Sequence, residues 1–126
     1  MRTIVQINEM NQIIVDEIKK QVSIDVPIEC LEKLNNLICF LGNSTECISR
    51  SNYFLNESKF KLLTSSELEG LNVSEKRIFM EAKLKEEMYC LQFSETTNKD
   101  LHYAIEGLRS IVSAQKEEFK QSQRNQ

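Results

Sequence analysis

A chain of 126 residues supports one domain with a real core and is too short for two ordinary ones. Apolar residues make up 40% and charged residues 28%, which excludes a chain disordered by composition. One proline and three glycines leave few turn-makers for a many-stranded β-sandwich, so helices are favoured. The net charge of −3 and a pI near 5.3, with Lys and Arg interspersed among Asp and Glu, argue against a dedicated nucleic-acid binder.

The stretch from Met1 to Val22 is rich in Ile and Val, but Glu9, Asp16, Glu17, Lys19 and Lys20 interrupt it too often for a spanning helix or a signal core. A cytoplasmic protein is expected. Ile4, Ile7, Ile14 and Ile18 share one helical face and predict a helix over 3–22. The β-branching of Ile4, Val5 and Ile7 leaves a short strand open for 3–7.

Ser23 to Pro27 reads as a break, with Pro27 suited to a first helical turn. Leu31, Leu34, Ile38 and Leu41 then predict a helix over 26–41, closed by Gly42 as a left-handed cap. Asn43 with Glu46 resembles a capping box and opens a third helix over 44–63, carrying Ile48, Phe54, Leu55 and Leu62. Thr64 to Asn72 reads as a connection with one helical turn near 67–69.

From Ser74 onward, Met80, Leu84, Leu91, Leu101, Ile105, Leu108, Val112 and Phe119 fit one alternating four-three register. Glu87, Ser94, Asn98 and Gln115 interrupt it with polar side chains. Two arrangements fit: one helix from Ser74 to about Lys120, or a hairpin of 74–93 and 97–120 turning at Ser94 to Asn98 with Thr97 as N-cap. Phe79, Ala82, Tyr89 and Phe93 form a second apolar face, and 121–126 reads as a disordered polar tail. The fold expected is an all-α helical bundle of one domain, 1–120, with a long coiled-coil-like C-terminal helix or helical hairpin.

Chemistry-bearing residues are sparse. Cys30, Cys39, Cys47 and Cys90 form no CxxC pair and read as core thiols, and without a signal segment the sequons at Asn43, Asn56 and Asn72 read as chance matches. The only histidine, His102, offers an imidazole to Cys90 or Cys47 and so a weak alternative as a Cys/His enzyme. Glu86 with Glu87 and Glu117 with Glu118 read as solvated pairs, and the isolated glycines cradle no phosphate. No catalytic or metal site, cofactor, membrane association or small-molecule substrate is inferred. Arg50, Lys59, Lys61, Lys76, Arg77, Lys83 and Lys85 carry a further alternative, a nucleic-acid accessory protein of the kind phages and mobile elements carry. The leading expectation is a non-enzymatic interaction or scaffold protein that binds a macromolecular partner. It forms a homo-oligomer through Leu101, Ile105, Leu108, Val112 and Phe119.

Overall fold

A computed structural model of the chain describes residues 3–125. Among them it is all-α: α1 (Ile4–Lys19), α2 (Pro27–Cys39), α3 (Leu41–Leu63), a 3-10 turn (Ser66–Leu68), α4 (Val73–Lys83) and α5 (Lys85–Arg124). The 40 residues of α5 span about 60 Å, and α1, α2 and α3 all pack along it. Asn11 meets Ser94, and Ile14 lies with Leu101, so α1 runs parallel to α5. Asn98 bonds Ser44 while Gln115 reaches Cys30, so α2 and α3 run antiparallel to it. The body is therefore a three-helix bundle of α1, the α2–α3 rod and α5.

The N-terminal segment is helix, not strand. Thr3 Oγ1 accepts from the Gln6 N–H while Gln6 Oε1 accepts from the Thr3 N–H, a reciprocal cap that outweighs the β-branching behind it. The helix stops at Lys19, short of the expected Val22, because Lys20 turns extended and Lys33 Nζ donates to the Ile18 and Lys20 carbonyls.

Gly42 and Asn43 do not act as expected. The chain never turns left-handed there: Phe40 stays right-handed at φ −85° and ψ −8°, and its carbonyl accepts from the Ser44 N–H. Gly42 and Asn43 thus sit inside the first turn of α3, and α2 and α3 make one rod with a break at Phe40. Positive φ occurs instead at Gly70, at 79°, where the chain turns into α4. Gly70→Ala is expected to cost about 1 kcal/mol through backbone strain, since open space surrounds the position. Urea unfolding measures it.

The hairpin expected at Ser94 to Asn98 is absent. These residues are helical, and Thr97 is a buried interior residue of α5 and not an N-cap. The break falls earlier, at Leu84, where φ −103° and ψ 19° end α4 and start α5. Helix continues through Gln121 to Arg124, so most of the expected disordered tail is ordered, with Gln126 outside the described residues.

The interior falls into three parts along α5. Leu55, Leu62, Leu68 and Leu84 cluster at one end with Phe79, Met80 and Leu91 against them. Ile14, Cys30, Leu34, Leu37, Leu101, Ile105, Leu108 and Val112 form the larger cluster toward the other end. Between them lies a layer of small and polar side chains: Asn11, Ser44, Cys47, Ser51, Cys90, Ser94 and Thr97, all essentially without solvent contact. Small side chains at helix contacts permit close approach of the axes.

Candidate functional site

The residues of the Cys/His alternative do not converge. His102 is exposed and lies 12 residues along the same helix from Cys90, about 18 Å away at the helical rise. Cys90 is fully buried with Cys47 and Ile7. Burial, reinforced by Cys47 and Glu87, pushes the Cys90 thiol up to about 11 from 9.0, while the hydrogen bond with Ser94 acts in the opposite sense. A thiol held protonated is a poor nucleophile. In a timed alkylation of the native protein at pH 8, exposed Cys39 is expected to label fast, and Cys30, Cys47 and Cys90 only after denaturant is added.

The acidic pairs and the dispersed cations stay on the surface. Glu86, Glu117 and Glu118 are exposed, and half-buried Glu87 accepts a 3.4 Å bond from Ser58 Oγ. Lys61 pairs with Glu57 at 3.3 Å, and Lys83 Nζ stands 5.7 Å from the centre of the Phe79 ring. Among the described residues no group of three or more His, Cys, Asp or Glu is placed to hold a metal ion, and no helix is long and apolar enough to cross a membrane.

Of the five residues of the expected oligomer seam, four face helices of their own chain. Leu101, Ile105, Leu108 and Val112 are 0 to 8% exposed within the core shared with α1 and α2. Phe119 is different, being 63% exposed on the last turns of α5. The boundary between the two groups is Gln115, whose Nε2 donates to the Ile24 carbonyl at 2.7 Å and lies 3.8 Å from Cys30 Sγ. What reads in the sequence as a flaw in the seam is the clasp that fastens the α1–α2 connection to α5.

Alongside that clasp, α5 from Val112 through Gln115 to Lys120 and the start of α2 leave a groove of about 450 Å3. Pro27, Ile28, Leu31, Val112 and Phe119 supply its apolar walls, and Lys116 and Lys120 stand on the α5 flank. Ile28 is 61% exposed and Leu31 37%, so an apolar strip on two helices faces solvent together. On the other side of Phe119 a second hollow carries Asp25 and Glu118 with Ile24, Ile111 and Ala114. Only Phe119 and Val112 of this groove belong to the set expected from the seam. Ile28 and Leu31 escape a sequence reading because α2 has apolar residues on more than one face, and periodicity does not say which face is covered. No protein-family model, curated protein or solved structure matches the chain.

Proposed function

We propose that this chain is a non-enzymatic helical interaction protein that binds a macromolecular partner through the exposed α2–α5 groove. The observation that carries the reading is Phe119, a large aromatic held out on an ordered helix beside exposed Ile28 and Leu31. Exposed aromatic and aliphatic side chains gathered between two helices are the usual anchor points of a protein contact. Self-association, which was expected along the whole seam, is the second reading and is favoured by the same exposed Phe119. The role of Cys30, Cys47 and Cys90 as packing residues supports work in a reducing, cytoplasmic setting.

The test is a photo-crosslinking amino acid, p-benzoylphenylalanine, placed singly at positions 119, 103 and 53 in cells that make the protein naturally. Tyr103 and Tyr53 are exposed controls away from the groove. Discrete heavier adducts from position 119 alone are expected. Absence of adducts from 119, or equal adducts from all three, overturns the reading.

A further inference from the structure

We propose that the α2–α5 groove receives an amphipathic helix of another protein, one that carries acidic residues along a single flank. This rests on the interaction reading above and names the class of partner.

The shape argues for a helix. Lys33 holds α1 on one side of α2, and Leu31, two residues earlier, points roughly 200° round from it at 100° per residue. The groove therefore opens on the side of α2 opposite α1, between two adjacent helices of a three-helix body. An added helix there completes four, with Leu31, Val112 and Phe119 as its apolar bed.

The charge argues for acid on one flank. Two cations, Lys116 and Lys120, line the groove and no acidic side chain does. They are one turn apart on one edge of α5, so carboxylates spaced one turn apart on an occupant meet both. Past Phe119 the surface changes sign at Asp25 and Glu118, which disfavours an occupant that is acidic all round.

The same charges disfavour a second copy of the chain. Phe119 stands beside Pro27 and Ile28, five residues before the end of α5, and one two-fold pairing of copies through this ring sets the two α5 ends antiparallel. A two-fold axis across antiparallel helices keeps each flank on its own side, setting Lys116 and Lys120 of one copy against the same lysines of the other. Like charges brought together in this way oppose association.

The experiment uses the full chain and designed peptides of about 20 residues, roughly 30 Å of helix. One peptide has leucines at heptad spacing, Glu along one flank and Gln elsewhere. A second has Lys in place of every Glu, and a third scrambles the first. Fluorescence anisotropy is expected to show saturable binding of the acidic peptide, about tenfold or more tighter than the other two. Phe119→Ala is expected to weaken it by a similar factor while leaving the thermal unfolding curve in place, because that ring is largely exposed. The double reversal Lys116→Glu with Lys120→Glu is expected to exchange the preference between the acidic and basic peptides.

Equal binding of acidic and basic peptides, no binding of either, or an unchanged preference after reversal overturns the proposal. So does a dimer by light scattering that Phe119→Ala abolishes, which makes a second copy the occupant. Binding of vesicles rich in phosphatidylserine, lost on lysine reversal without any peptide binding, also overturns it in favour of a lipid surface. If the acidic peptide fails while crosslinks from position 119 persist, the partner class is wrong and the interaction reading stands.

Discussion

Ile105→Asp is expected to leave little folded protein at neutral pH. Ile105 is 2% exposed and lies within the cluster formed by Ile14, Cys30, Leu34, Leu37, Leu101, Leu108 and Val112. The substitution removes apolar burial and places a charge where no counter-ion stands, at a cost of several kcal/mol against the roughly 5–15 kcal/mol that holds a domain of this size. Ile105→Val keeps the chemistry and is expected to lose only about 1 kcal/mol. Circular dichroism during urea unfolding separates the two. Because the neighbours of Ile105 come from its own chain, the loss is expected to be the same over a hundredfold range of protein concentration, whereas a shared core makes it concentration-dependent. A midpoint that climbs with concentration in both wild type and Ile105→Val contradicts the intrachain assignment.

The helical class was legible because it rests on scarcity of Gly and Pro and on large apolar residues at three and four spacing. Both signals are local. What the large apolar residues hid was the middle of the bundle, where Ser44, Cys47 and Ser51 of α3 and Cys90, Ser94 and Thr97 of α5 are all buried and Cys47 packs with Cys90. Cys47 and Cys90 are expected in the core as thiols, but Ser44, Ser51, Ser94 and Thr97, which carry the helical period as well as leucine does, look like surface residues to a reading by size and hydropathy. A strict seven-residue repeat also misplaces them. It drifts about 20° per heptad from a straight helix, so the three heptads back from Val112 accumulate about 60°. The buried line accordingly passes through Thr97 and Cys90, where the repeat expects Asn98 and Leu91.

The break at Leu84 had no glycine or proline to mark it, and the polar run from Ser94 to Asn98 suggested a turn that tertiary contacts overrule. Asn98 donates to Ser44 Oγ at 3.0 Å, and Ser94 accepts from Asn11 at 2.9 Å while donating to the Cys90 carbonyl at 2.8 Å. Residues that compete with helix when solvated support it when their hydrogen bonds are made between helices. The groove lay further from reach, because a seam residue left uncovered is indistinguishable in sequence from one that is packed. Whether another helix covers the outer side of the α2–α5 pair decides it, and that is a property of the assembled bundle.

The buried polar layer yields the second large effect. Asn11 is fully buried, with Nδ2 bonded to Ser94 Oγ, and its Oδ1 has no hydrogen-bond partner among the described residues. Asn11→Asp replaces the amide with a carboxyl of the same shape and turns that oxygen into a buried anion at neutral pH. The loss is expected to be about 3 kcal/mol or more, the scale for an uncompensated buried charge. It is expected to shrink in acid, with the following sign. Desolvation raises the carboxyl above its unfolded value of about 3.9 in the folded state, so between the two values the native state holds the extra proton. Stability therefore falls as pH rises through that window, and the gap to wild type is widest above it and narrows toward pH 4. Asn11→Leu tests the other half of the account. It removes the partnerless oxygen along with the donor, and Ser94 keeps its bond to the Cys90 carbonyl, so a change within about 1 kcal/mol of wild type is expected. Urea unfolding at several pH values measures all three proteins. A pH-independent loss in Asn11→Asp places the side chain in contact with water. A loss in Asn11→Leu as large as that in Asn11→Asp assigns the effect to the missing Ser94 bond and not to the charge.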